Sequence, residues 1–282
     1  MRHGIRVPLT AIVLAVTLSD IAACGSTAHV TKSGSSQSSG QTSDTSTSPT
    51  AGSSKPPSSG TNAPLLGKSG IDDTYYPVAL GNTWVYRVDY GAALGLGIVT
   101  DTEEVTKVHH TAAGTHVTIA RTFHYQNGRY PDFTSTVDYV FHKNGSLTVP
   151  FQNGIQTRGT TITVKSGSIV WPTPQTLDSG HKSIGHIRAS IRSAGQTINA
   201  DVLVLVRGAG MASVRVPAGS FRRARILHQD LIETISRIST RITIKTTTYL
   251  VEGVGMVKST VDSGLPGLGG SVTTRLISYK RG

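Results

Sequence analysis

The chain of 282 residues carries 27 Lys and Arg against 16 Asp and Glu, a net charge of +11, and a single cysteine. One thiol excludes any internal disulfide, so the fold must hold by core packing. The positive surplus suits an anionic neighbourhood, while the lack of a basic-aromatic module argues against nucleic acid as the partner.

Residues 1–23 read as a signal peptide. Arg2 and Arg6 form its charged start, Val7 to Leu18 its apolar run, and Ala22 and Ala23 the small residues before cleavage. The run is shorter than the roughly 20 apolar residues that span a bilayer, and Asp20 interrupts its far end. Cys24 closes the order Ile21-Ala22-Ala23-Cys24, which resembles the bacterial lipobox. That resemblance implies that the Cys24 thiol is the site of lipid attachment and becomes the mature N-terminus. The other reading is an ordinary secretory signal cleaved just before Cys24. Lipid attachment also removes a thiol that would be a liability in an oxidising exterior. Two or three acyl chains, at roughly 0.8 kcal/mol per buried CH₂, anchor stably where one does not. The expected location is extracytoplasmic, lipid-anchored at the cell surface. Gly25 and Ser26 carry no Asp sorting mark, so a double-membrane cell would send the protein to its outer membrane.

Residues 24–70 are dominated by Ser, Thr, Gly and Pro. Such a segment buries too little apolar surface to offset its ordering entropy and is expected to be a disordered tether. At about 45 residues its typical end-to-end distance is roughly 35 to 40 Å. It serves either as a stalk that lifts the domain off the membrane or as a passive linker.

Residues 71–282 are expected to form one all-β domain, because apolar and polar side chains alternate with period 2. Trp84, Tyr86, Val88 and Tyr90 share one face. Val117, Ile119, Phe123 and Tyr125 share a second, with His116, Thr118, Thr122 and His124 opposite, and Phe133, Val137, Tyr139 and Phe141 make a third. Asn144-Gly145 reads as a hairpin turn into a strand over 146–151. Further strands are expected at 160–165, 185–193, 198–207, 212–217, 222–235, 239–251, 254–261 and 271–280, with 222–235 the most ambiguous. Gly264 to Gly270 reads as a loop before the last strand.

Three motifs then carry a resemblance. Tyr76-Pro77-Val78-Ala79-Leu80-Gly81-Asn82-Thr83-Trp84-Val85-Tyr86, Val216-Pro217-Ala218-Gly219-Ser220-Phe221 and Gly253-Val254-Gly255-Met256-Val257-Lys258 are similar to the opening, turn and C-terminal strand of uncharacterised bacterial lipoprotein domains. The resemblance implies a curved antiparallel sheet, an open half-barrel or sandwich-like arrangement, distantly similar to carriers of the LolA/LolB type. It carries over no catalytic residue. Read directly, the motifs are structural: Pro217-Ala218-Gly219 ends one strand and starts another. Gly253 and Gly255 suit a bulge or a close backbone approach around Val254.

Charge is uneven: residues 71–160 hold six Lys and Arg against eight Asp and Glu, whereas 161–282 hold sixteen against six. Arg222, Arg223, Arg225, Arg237, Arg241 and Lys245 form a candidate patch for an anionic partner such as phospholipid head groups or wall polymers. The alternative is a solvated face that keeps the domain soluble. His109 falls opposite His116 if 111–114 is a hairpin loop, with His124 on the face of His116, but no cysteine or dense carboxylate set accompanies them and surface histidines are the better reading than a metal site. No metal and no cofactor is expected. No nucleophile elbow, zinc-protease motif or phosphate loop occurs, and Asp72-Asp73 and Glu103-Glu104 point to opposite faces when extended. The leading expectation is a non-catalytic binding or envelope-associated module holding an apolar ligand on a concave sheet. Adhesion to anionic polymers through the basic C-terminal half is the alternative, and a hydrolase with a dispersed site the third.

Overall fold

The computed structural model describes residues 70–73, 75–91, 96–128, 130–143, 146–149, 155–157, 160–171, 176, 183–193, 196–235, 240–262 and 271–282. The signal peptide, Cys24, the tether up to residue 69, the Asn144-Gly145 turn, Arg237 and the 264–270 loop lie outside the described residues.

Every described element of more than one residue is a strand: β1 (Gly70–Asp73), β2 (Tyr76–Ala79), β3 (Thr83–Asp89), β4 (Ile98–His110), β5 (Gly114–Tyr125), β6 (Phe133–His142), β7 (Leu147–Val149), β8 (Ile155–Thr157), β9 (Thr160–Trp171), β10 (Ser183–Ser193), β11 (Gln196–Val216), β12 (Gly219–Ile235), β13 (Thr240–Val251), β14 (Gly255–Asp262) and β15 (Ser271–Lys280). All pairings between them are antiparallel, and β1 and β2 form a separate hairpin.

The large sheet is not open. It runs from β9 through β10 to β15, continues to β3 through β7, and returns to β9. Twelve strands therefore close into a barrel, which corrects the expected open half-barrel or sandwich. Two pairings make the closure. Tyr279 of β15 lies opposite Trp84 of β3, and β9 meets β7 and β8 along one edge while pairing with β10 along the other. Gly167 permits the second. Its φ is +108°, and a Cβ there would overlap the His186 carbonyl of β10.

Period-2 patterning became the inside and outside of this barrel. In β3, Trp84, Tyr86 and Val88 are buried, as are Val117 and Ile119 of β5 and Val137, Tyr139 and Phe141 of β6. Their alternates, such as Glu104, Thr122, His124, Thr134, Arg188 and Lys245, are exposed. Where two strands were expected at 198–207 and 212–217, β11 runs on as one. The Gly208–Gly210 segment is a bulge within it, with φ of +88° at Gly210. The ambiguous stretch 222–235 is the body of β12.

The three motifs meet at one end of the barrel. Tyr75 and Val78, from the β1–β2 hairpin, are buried there. Asn82 Nδ2 donates to the Pro77 carbonyl at 2.8 Å, and its Oδ1 accepts the Gly282 N–H at 2.9 Å. The β11–β12 turn is tied in by the Ala218 N–H, which donates to the Leu276 carbonyl at 3.1 Å. Tyr86 reaches the Met256 carbonyl with its hydroxyl at 3.2 Å. The motifs are thus a structural junction beside the β1–β2 hairpin.

Candidate functional site

The inner wall divides into two arcs. On β7, β9, β10 and β11 every buried side chain is apolar among the described residues, including Leu147, Ile169, Trp171, Ile187, Val204 and Val206. On β12 to β15 and on β4 to β6, buried polar side chains interrupt the apolar face.

On the first polar stretch, Gln229 of β12 lies directly opposite Thr246 of β13. Two positions further along β13, Thr248 faces Ser259 of β14, and Ser259 faces Thr274 of β15. Thr248 and Ser259 hydroxyls are 3.5 Å apart. Gln229 and Thr246 are only 2% and 1% exposed, yet neither amide atom of Gln229 nor the Thr246 hydroxyl has a hydrogen-bond partner among the described residues. An unmet buried polar group costs about 1–3 kcal/mol, and here two such residues lie directly opposite each other.

Glu233 extends the same strand. It sits between Leu231 and Ile235 on β12, across from Val202 and Ile242, and is 1% exposed. Burial in these apolar surroundings pushes its carboxyl up to about 7, so at neutral pH a large fraction is protonated and able to donate.

The second polar stretch is an ion cluster. Arg121 of β5 lies opposite Glu103 of β4, with its Nε 3.0 Å from Glu103 Oε1 and its Nη2 bonded to Asp101. Its guanidinium also sits 4.7 Å from the centre of the Phe123 ring. Ser135 of β6 is the neighbour of Arg121 on the other side, and its buried hydroxyl has no partner among the described residues.

The sequence-expected basic residues do not converge. Arg222 and Arg223 are exposed near the β11–β12 turn, whereas Arg241 and Lys245 are exposed opposite Thr234 and Asp230. From Arg223 to Thr234 along β12 is roughly 36 Å at about 3.3 Å per residue. Arg225 is turned inward, 4% exposed and 5.0 Å from the Tyr75 ring centre. It keeps the inward parity of Leu227, Gln229 and Leu231, and the alternation breaks before it, where Ala224 is buried too and Arg223 is exposed. Arg237 and Cys24 lie outside the described residues. His109 does face His116 across β4 and β5, and His124 bonds Asp132 at 2.9 Å, but no cluster of three metal-ligating side chains occurs among the described residues.

Sequence reasoning passed over Gln229, Thr246, Glu233 and the Arg121 cluster. The signal was present: Arg121 falls between Ile119 and Phe123, and Gln229 and Glu233 flank Leu231, each on an inward-facing parity.

The profile of the DUF3108-like family matches residues 98–261, from β4 into β14. The chain belongs to the DUF3108-like family. Two crystal structures share the fold. One is of a proposed lipoprotein from Parabacteroides distasonis, 14% identical, with a TM-score of 0.52, covering 74% of this chain and 99% of that one. The other is of a proposed exported protein with a YmcC-like fold from Bacteroides fragilis, 13% identical, with a TM-score of 0.51, covering 74% and 100%. No curated protein matches. At such identity the two structures bear on the fold of this DUF3108-like domain.

Proposed function

We propose that this chain is a lipid-anchored, extracytoplasmic, non-catalytic binding module that encloses an apolar ligand within its barrel. The observation that carries the reading is the inner wall. A barrel of about eight strands is just filled by its own side chains, and the diameter grows with strand number; this one has twelve. Its wall is apolar along one arc and bears unmet hydrogen-bonding groups on the other. The ligand is held inside a closed wall rather than on the concave face expected from the sequence.

Anchoring rests on the Ile21-Ala22-Ala23-Cys24 order, and the names of the two structural neighbours, a proposed lipoprotein and a proposed exported protein, agree with it. The outer wall, with Glu104, Lys165, Arg188, Asp201 and Lys245 exposed, is the reverse of a membrane barrel, whose outside is apolar. That polar outer wall supports a domain that sits in water beside the membrane, with its N-terminus as the anchor. Scattered as they are, the basic side chains give no observation that favours adhesion.

Native mass spectrometry of the protein purified from its own membranes tests the binding reading. A co-purifying apolar mass is expected, and a bare chain that also takes up no added amphiphile would overturn it. For the anchor, Cys24→Ser is expected to abolish incorporation of labelled lipid and release the protein; unchanged membrane retention would refute that part.

A further inference from the structure

We infer that the barrel takes an acyl amphiphile whose polar part is uncharged and bears hydroxyls, received by Gln229 and Thr246 while its chain lies against β9, β10 and β11. This rests on the enclosed-ligand reading and adds the chemistry of the head.

Three features carry it. First, the apolar strands β7, β9, β10 and β11 adjoin the polar stretch of β12 to β15 around the ring, so a guest inside meets hydrocarbon on one side and hydrogen-bonding groups on the other. Second, Gln229 and Thr246 are direct cross-strand neighbours, whose side chains would stand about 4.5–5.5 Å apart at Cβ. The amide and the hydroxyl each both donate and accept, which complements a hydroxyl. Both are at least 98% buried with their polar atoms unmet among the described residues. Third, the wall has no surplus of positive charge. Arg121 is held by Asp101 and Glu103, Arg225 lies over Tyr75, and among the described residues the remaining buried acidic or basic side chain is Glu233. An anionic head would be desolvated against a wall whose buried acids, Asp101, Glu103 and Glu233, outnumber its buried cations, Arg121 and Arg225. A quaternary ammonium has no hydrogen-bond donor for the Gln229 carbonyl.

The test uses the full chain carrying Cys24→Ser, so that no acyl group of its own competes, stripped of lipid and titrated calorimetrically below the micellar range. The probes are 1-monolauroylglycerol, laurate and dodecyltrimethylammonium. Monolauroylglycerol is expected to bind at least ten-fold tighter than the other two. Gln229→Leu and Thr246→Val are each expected to weaken it five-fold or more without lowering the melting temperature, because both remove an unmet polar group. If Gln229→Leu fails to fold, the near-isosteric Thr246→Val decides. Laurate or the ammonium binding as tightly, or full affinity in the variants, overturns the assignment of the head but leaves the enclosed-ligand reading standing. Binding of none of the three overturns both.

Discussion

Trp84 Nε1 donates to the Val254 carbonyl across 2.6 Å, joining residues 170 positions apart in the chain. Both are buried, and the bond pins the first strand of the barrel to the β13–β14 turn. Trp84→Phe keeps an aromatic ring but leaves that carbonyl unmet. A loss of about 1–3 kcal/mol is expected, read as a lower midpoint in urea unfolding. An unchanged midpoint would mean that the bond contributes nothing.

The Arg121 cluster predicts a stronger effect. Its side chains are 2–5% exposed, so Arg121→Met leaves Asp101 and Glu103 as two buried acids without their cation. The expected destabilisation is about 3–5 kcal/mol. Adding Asp101→Asn and Glu103→Gln to the same chain should recover most of it. If the single and triple variants unfold at one midpoint, the cluster is not an electrostatic unit.

Glu233 sets a pH dependence. Its carboxyl titrates near 7 in the fold and near 4.5 when unfolded, so between those values the native state binds more protons than the unfolded chain. Stability contributed at this site is full below about pH 4.5 and declines as pH rises to about 7, by about 3 kcal/mol in total. In Glu233→Gln that decline should vanish. Urea midpoints of the two proteins measured from pH 4.5 to 8 decide it, and parallel curves would count against the buried acid.

Gly167→Ala attacks the seam between β9 and β10. The residue has φ of +108°, and the added carbon would overlap the His186 carbonyl, so a loss of at least about 2 kcal/mol is expected from strain and broken pairing. Gly128→Ala is the control: φ is +62° with nothing within 4 Å of the added carbon, so only the conformational term of about 1 kcal/mol applies. Equal melting points for the two variants would show that the seam tolerates the intrusion.

What the sequence made legible was local. The faces of Trp84–Tyr90, Val117–Tyr125 and Phe133–Phe141 follow from the period of an extended chain, and Gly253 and Gly255 do take positive φ of +70° and +95° around Val254. Closure was not legible, because pairing Trp84 with Tyr279, or Ile187 with Gly167, depends on register and curvature summed over many strands. Arg225 reads as part of a surface patch with its basic neighbours, although it shares the inward parity of Leu227 and Leu231. Gln229 and Thr246 could have been flagged as polar members of an apolar face, but only their adjacency across β12 and β13 makes them a pair.

The pairing of β15 with β3 has a consequence for how the protein is made. Among the barrel strands β15 is synthesised last, and its partner β3 first. Until Ser271–Lys280 emerges, β3 and β14 both keep raw hydrogen-bonding edges, and the long-range contact that ends that state is slow to form. A chain built this way keeps its barrel open until β15 has been made, so the barrel cannot close strand by strand as its earlier elements emerge.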